Sequence, residues 1–196
     1  MSKARVEAFS DGVIAVAITL LALGLAVPPP GGSLAHHLAE QWPSYAAYVI
    51  SFVTIGIIWI NHHAMFRRLA SVDHTILILN LVLLMMIVVL PFSTSLMAKY
   101  LKASSGEHLA AVVYGASLLL MASSFLALQR YILVRRPELL EEHVTAPVRR
   151  AVLRRNAVGV LPYVLATLGA IITPYLTLAI CAAIALFYAL PGTTSE

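Results

Sequence analysis

Long apolar runs separated by short polar breaks dominate this chain. The first run begins directly after Asp11 and Gly12 and continues to the prolines at 28–30, with Thr19 as its one polar side chain. Proline removes a backbone donor and ends a helix, whereas an apolar stretch of about 20 residues is long enough to cross a bilayer. The pattern therefore predicts a first membrane-spanning helix over residues 5–28.

Charged residues and prolines divide the rest of the chain into further apolar runs. The last run is too long for one crossing, and a turn is expected at Thr173-Pro174, because proline disfavours helix in the residue before it. We predict an all-α integral membrane protein with six transmembrane helices in a single domain, residues 1–196. The predicted spans are 5–28, 43–66, 75–97, 109–134, 152–172 and 174–190.

Composition and charge agree with this architecture. Hydrophobic residues make up 60% of the chain and charged residues 11%, whereas a soluble domain carries roughly 25% charged residues. If the N-terminus is cytoplasmic, Lys99 and Lys102 are the only two of the 13 lysines and arginines placed outside. Because positive residues favour the cytoplasmic side, we predict a multi-pass cell-membrane protein with both termini in the cytoplasm. The excess of positive residues then sets the orientation of the protein in the membrane and contacts membrane lipids. It does not indicate binding to nucleic acid.

Two polar segments between the spans also have helical features. Segment 34–42 has helical spacing, lies outside in this topology, and is predicted to rest at the membrane interface, with Trp42, Tyr45 and Tyr48 in an aromatic belt. The cytoplasmic loop 137–150 mixes glutamates with arginines and is predicted to form a short solvated helix.

Two groups of polar residues fall at the same predicted membrane level. One lies at the start of the first span and the other at the end of the second span; the candidates are Arg5, Asp11, Trp59, His62 and His63. Charges at this depth are costly unless paired, and a buried polar network stabilises only when each member is satisfied. Such a network is one interpretation, and an interfacial tryptophan with two solvated histidines is the other.

The remaining polar residues give little support for a metal or catalytic site. Adjacent histidines do not share a helix face, and no third ligand is near them in sequence, so no metal site is predicted. The one cysteine, Cys181, excludes an intrachain disulfide. Asn80, within the third span, is typical of a contact between helices. Catalytic motifs are missing from the sequence, and the chain is not expected to be an enzyme.

A stripe of side chains at helical spacing runs along the first span. Its members are Val16, Thr19, Leu20, Leu23 and Val27. Asp11 lies about 140° away from Val16 at 100° per residue, so it faces a different environment. The stripe can line a pore axis with Asp11 behind it, or it can be an ordinary packing or lipid-facing surface.

Four motifs carry a resemblance to a known family. They are Arg5-x3-Phe9-Ser10-Asp11, Val16…Thr19-Leu20, Trp59…His62-His63 and Asn80…Leu90-Pro91-Phe92. Together they resemble the transmembrane protein 175 family of potassium channels, over essentially the whole chain. The resemblance implies a cation channel in which the first helices of four repeats line one pore. A chain with one six-helix repeat then implies a homotetramer that conducts K⁺ and other monovalent cations without a cofactor.

The resemblance also implies roles for individual residues. Val16, Leu20 and Leu23 match the positions of the family's apolar constriction, and Thr19 matches an adjacent hydroxyl layer that aids K⁺ selection. The family's structural polar network is carried over to Arg5, Phe9, Ser10, Asp11, Trp59, His62 or His63, and Asn80.

Two other functions remain open from the sequence. Asp11 and a histidine could be the protonatable groups of a proton-coupled or other small-ion transporter. Alternatively, the polar residues could only lock helices together in a structural or assembly membrane protein.

Overall fold

A computed structural model of the protein describes residues 2–141 and 144–189, which form a helical bundle. The helices are α1 (Lys3–Leu20), α2 (Leu34–Glu40), α3 (Trp42–Arg67), α4 (His74–Tyr100), α5 (Glu107–Arg130), α6 (Ala146–Ile172) and α7 (Pro174–Ala189). Within the described residues, α1 with its short extension, α3, α4, α5 and α6 are long and apolar enough to cross a membrane. The apolar helix α7 is shorter, at 16 residues. The architecture is that of an all-α membrane protein.

Helix α1 ends earlier than the prediction of 5–28. It tightens into a 3₁₀ turn at Leu21–Gly24, and Leu25 is extended. Gly24 lies against α4, because a Cβ at this position would be 2.7 Å from the Ser95 hydroxyl oxygen. The assignment of Val27 to the helical stripe was therefore wrong, since Val27 lies beyond the helix.

The structure confirms the helix predicted in one of the two polar segments but not in the other. The predicted helix in segment 34–42 is confirmed as α2, whose first turn is capped by Ser33. The predicted short helix in loop 137–150 was wrong for the described part of the loop. Pro137–Leu139 form a single 3₁₀ turn, and residues from Ala146 onward already belong to α6. Pro147 explains this early start, because its fixed φ suits the first turn of a helix.

The centre of the bundle is formed by α4 and α5. Leu83 and Ile87 of α4 are fully buried, as is Tyr114 of α5. Helix α4 also packs against α1 and α3, while α5 packs along α6. Gly115 permits the close approach of α5 to α6, because a Cβ there would lie 3.0 Å from the Cα of Thr167. This packing leaves α1 at one side of the bundle, in contact with α3 and α4.

The chain reverses between α6 and α7 at a single residue. Thr173 is extended, with φ −161° and ψ 140°, and α7 begins at Pro174. Because Pro174 cannot continue the hydrogen-bonding pattern of α6, the two helices separate at this point.

The loops after α3 and α5 are tied together at one end of the bundle. The Ala70 amide donates to the Leu139 carbonyl at 2.8 Å, and the Glu141 amide donates to the Arg68 carbonyl at 2.9 Å. These backbone bonds hold the end of α3 close to the segment that leads into α6.

Asp73 joins the start of α4 to the end of α5. Its carboxylate accepts hydrogen bonds from the Ile76 amide (2.8 Å) and the Tyr131 hydroxyl (2.7 Å), and it pairs with Arg136 at 3.1 Å. Desolvation opposes ionisation, but these two donors and the Arg136 charge outweigh it and lower the pKa of Asp73. Asp73 is therefore the ionised cap of α4.

Candidate functional site

Helix α1 has two distinct faces. The inner face contacts α3 and α4 through residues at spacings of three and four: Val6, Ser10, Ile14, Ala17 and Leu21. The outer face is exposed, although its side chains are largely apolar. Because a helix repeats every 3.6 residues, these two stripes lie on opposite sides.

A buried chain of hydrogen bonds holds the inner face in place. The Asn80 amide nitrogen on α4 donates to the Ser10 hydroxyl oxygen at 2.9 Å, and Ser10 donates to the Val6 carbonyl at 2.8 Å. The Asn80 amide oxygen lies 2.8 Å from Nε2 of His62 on α3. Since this oxygen can only accept, His62 carries its proton on Nε2. One asparagine thus connects α1, α3 and α4.

His62 is enclosed more completely than its neighbour His63. Its ring stacks on Phe66 with centroids 4.4 Å apart, and the side chain has no solvent exposure. Its Nδ1 atom is buried without a hydrogen-bond partner among the described residues. The structure thus places His62 in the buried chain and His63 outside it.

Two further contacts join α1 to α3 at the edge of this chain. The Trp59 indole N–H donates to Asp11 at 2.9 Å, and Nδ1 of His63 lies 2.9 Å from a carboxylate oxygen of Glu7. Asp11 is half-buried, in agreement with its position between the two faces of α1. Trp59 and His63 of α3 therefore bind α1 directly at the edge, whereas His62 is connected to α1 only through Asn80 of α4.

Arg5 and Phe9 are not joined to these contacts within the subunit. Both lie on the exposed side of α1, with Phe9 51% exposed. Among the described residues, no hydrogen bond or ion pair involves the Arg5 guanidinium. A polar partner for the Arg5 side chain must therefore come from outside the described part of the subunit, whereas Phe9 lines an apolar groove beside Val88 of α4.

The four candidate constriction residues all lie on the outer face of α1 and its 3₁₀ extension. The exposed fractions are 58% for Val16, 39% for Leu20 and 81% for Leu23. The exposed Thr19 hydroxyl donates to the Val16 carbonyl at 2.8 Å, so its oxygen can still accept a hydrogen bond or contact a cation. Val16 and Leu20 also line a groove of about 480 Å³ between α1 and Val88 of α4.

Sequence reasoning missed two sets of polar contacts. Glu7 was not expected to pair with His63. The hydroxyls of Ser51, Thr94 and Tyr114 form a buried cluster between α3, α4 and α5, with oxygen distances of 2.8 and 3.0 Å. In the sequence, the only indication of this cluster is that three hydroxyl side chains lie inside apolar spans. Many other hydroxyl side chains of this chain also lie inside such spans, so this feature did not single out the three. In the described residues, no group of three or more metal-ligating side chains could hold an ion.

Comparison with known proteins connects this geometry to one family. The family described as the endosomal/lysosomal potassium channel TMEM175 matches residues 5–91. A potassium channel of Streptomyces collinus is 47% identical over 187 residues, which cover 94% of this chain and 90% of that protein. The endosomal/lysosomal proton channel TMEM175 of Gallus gallus is 40% identical over 117 residues, which cover 55% of this chain and 23% of that protein.

The fold agrees with these sequence matches. The crystal structure of a lysosomal potassium-selective channel TMEM175 homolog from Chamaesiphon minutus matches this chain with a TM-score of 0.86 and 34% identity. The match covers 98% of each chain. Since both sequence and fold agree over nearly the full length, the chain belongs to the TMEM175 family.

Proposed function

We propose that this protein is a potassium-selective cation channel whose pore is lined by the outer face of α1. The observation that carries this proposal is the arrangement of that helix. Its inner face is anchored by Asn80 through Ser10, while an exposed apolar stripe with one hydroxyl faces away from the subunit.

Other helices also expose apolar side chains, as surfaces that face lipid must. Helix α1 combines two features that favour a pore-lining role. A buried polar chain fixes its rotation, and Thr19 places a hydroxyl inside the stripe. In a cation pathway, this hydroxyl would supply a polar oxygen beside the apolar constrictions.

One α1 helix cannot enclose a pathway, so the proposal requires several subunits. We infer a homotetramer in the cell membrane, with six crossings in each subunit and both termini in the cytoplasm. The relatives named as potassium channels support this inference, as does the asymmetric distribution of lysine and arginine. The groove beside Val16 and the exposed Arg5 and Phe9 then provide surfaces for neighbouring subunits.

In this assembly, selectivity arises from narrowing and partial dehydration. Four copies each of Val16, Leu20 and Leu23 form successive apolar constrictions, with the Thr19 hydroxyls between the first two. K⁺ holds its hydration shell less strongly than Na⁺ and therefore loses less on passing. Rings of apolar side chains discriminate less than rings of carbonyls, so the expected preference for K⁺ is modest.

The polar residues behind the stripe serve assembly rather than ion binding. Ser10, His62 and Asn80 are buried between helices of one subunit, away from the outer face of α1. Asp11 is bound to Trp59 in the same subunit. Leaving such a buried partner unpaired costs about 1–3 kcal/mol, and more for a charged group.

Conductance of the purified protein in a planar bilayer tests the function. We expect unitary current steps under a K⁺ gradient, with a reversal potential displaced toward the K⁺ equilibrium potential when Na⁺ is on the opposite side. Saturable flux that depends on a proton gradient, without unitary steps, would indicate a transporter. A protein that inserts into the bilayer but carries no flux would have only a structural role.

A further inference from the structure

A groove separate from α1 lies between the end of α5 and the beginning of α6. It has a volume of about 280 Å³. Its apolar walls include Leu133 and Val134 from the end of α5 and Leu153 from α6. Two arginines, Arg149 and Arg150, belong to the same lining. The groove thus combines an apolar surface with a concentrated positive charge.

The backbone at the end of α5 explains why an arginine enters this groove. Helix α5 continues into a π-helical turn at Tyr131–Arg135, and Pro137 follows. The Leu133 carbonyl would receive the amide of residue 137 in a regular α-helix, but proline has no N–H. Nη1 of Arg149 instead donates to this carbonyl, at the long distance of 3.5 Å. Arg149 is therefore drawn across the groove toward α5.

Among the described residues, no carboxylate neutralises the positive charge in the groove. Within the part of the chain that the structure describes, no carboxylate lies within ion-pair distance of Arg149 or Arg150. Glu138, just beyond Pro137, is instead bound to Arg136 at 2.6 Å. The Nε atom of Arg149 is buried and has no hydrogen-bond acceptor among the residues that the structure describes. A buried N–H of a charged group without an acceptor is unfavourable, so the groove suits an anionic ligand.

The position of the groove identifies the class of anion. It lies where the apolar span that ends at Arg135 gives way to the polar loop, at the arginine-rich end of the bundle. Phosphate groups of membrane lipids are found at this level, and anionic lipids are attracted to basic residues near the cytoplasmic surface. The beginning of α6, at Ala146, adds the favourable end of a helix dipole for a negative charge.

We propose that this groove binds an anionic phospholipid of the cytoplasmic leaflet. Arg149 and Arg150 hold the phosphate, and an acyl chain lies along Leu133, Val134 and Leu153. The proposal rests on the membrane orientation given under the proposed function. The lipid would add a connection between the end of α5 and the beginning of α6, beside the long hydrogen bond from Arg149.

Lipid binding to the purified full-length protein tests this proposal. Native mass spectrometry with increasing phosphatidylglycerol, and separately with phosphatidylcholine, compares the wild type with an Arg149→Gln/Arg150→Gln variant. The matched control is Arg130→Gln/Arg154→Gln, which removes the same charge from exposed arginines outside the groove. We expect tighter binding of phosphatidylglycerol to the wild type. The groove variant should lose about fivefold in affinity per arginine, roughly 25-fold in all, and the control about twofold or less.

Ala146→Phe provides a second variant that fills the groove without changing charge. It should also lower phosphatidylglycerol binding. Equal losses in the groove and control pairs would indicate a general basic surface and overturn the proposal, as would unchanged binding in both groove variants. Full displacement of the lipid by millimolar inorganic phosphate would assign the site to free phosphate instead.

K⁺ flux through the same samples is measured independently of lipid binding. Normal flux in a wild type that does not prefer phosphatidylglycerol would overturn the lipid site and leave the channel intact. Specific lipid binding by a wild type that carries no flux would overturn the channel and leave the lipid site intact.

Discussion

Asn80 holds three helices together through a single side-chain amide. Its nitrogen donates to Ser10 on α1, and its oxygen accepts from His62 on α3. Both partners are buried, so neither can form a replacement hydrogen bond with water when the amide is lost. We expect Asn80→Leu, which keeps the number and branching of the side-chain heavy atoms, to lower the free energy of unfolding by about 1–3 kcal/mol.

Thermal unfolding in detergent measures this effect, and Asn61→Leu is the matched control. The Asn61 amide donates to the Ile57 carbonyl within its own helix, so its loss should have a much smaller effect. Equal stability of the two variants would mean that the buried chain does not anchor α1.

Asp11 tests whether the polar residues behind the stripe serve assembly. Asn at this position can still accept the hydrogen bond from Trp59, so Asp11→Asn removes mainly the negative charge. We expect a lower proportion of tetramer by native mass spectrometry. Trp59→Phe is the complementary variant, because it removes the hydrogen-bond donor and keeps the charge. An Asp11→Asn protein that assembles normally but loses K⁺ selectivity would place Asp11 in the pore.

At the level of the helices, Asp73 determines how the start of α4 responds to pH. The lowered pKa of its carboxyl means that ionised Asp73 stabilises the folded protein. This stabilisation is fully present above the ordinary value of 3.8 and is lost as the pH falls through the lower folded value. Asn is an equally good helix cap, so Asp73→Asn should lose the ion pair with Arg136 while it retains the cap.

The expected result is a difference in thermal stability between wild type and Asp73→Asn that is constant from about pH 8 to pH 5 and shrinks below about pH 4. Asp73→Ala should be less stable than Asp73→Asn by about 0.5–2 kcal/mol, because the cap is lost as well. A wild-type advantage that persists unchanged to pH 3 would contradict this account of Asp73.

The existence of the helices could be predicted from the sequence better than their ends. Apolar runs of membrane length leave few alternatives to helices, because unpaired backbone groups are not tolerated in lipid. The end of α1 involves a close approach of Gly24 to Ser95, residues far apart in sequence. The early start of α6 depends on Pro147. The charges around this proline led to the prediction of a separate loop helix instead of the first turns of α6.

The candidate site could be predicted as a set of residues but not as a set of contacts. Neighbouring residues on a helix point about 100° apart, so the sequence could not decide between His62 and His63 without the rotation of α3. The rotation of α3 is determined by its packing against α4. This packing places His62, and not His63, beside Asn80. Glu7 was missed for the same reason, since its pairing with His63 depends on how α1 and α3 meet.

For the whole molecule, the single subunit explains why an assembly is needed. Its outer α1 face combines exposed apolar residues with Thr19, and Arg5 has no partner among the described residues. A tetramer that places four such faces around one axis would cover these surfaces and create the pathway. Crosslinking in detergent that recovered only monomers would remove the basis for this arrangement.

The most direct test measures unitary conductance and the reversal potential between K⁺ and Na⁺ for alanine variants of the α1 stripe. Leu20→Ala and Leu23→Ala should raise conductance several-fold and shift the reversal potential toward that of an unselective pore. Thr19→Val should weaken the K⁺ preference without closing the pore. Leu168→Ala is the matched control, because this leucine of α6 is 55% exposed but lies outside the stripe, and it should behave as wild type. Unchanged conductance and selectivity after alanine substitution at Val16, Leu20 and Leu23 would contradict the account and mean that another helix lines the pore.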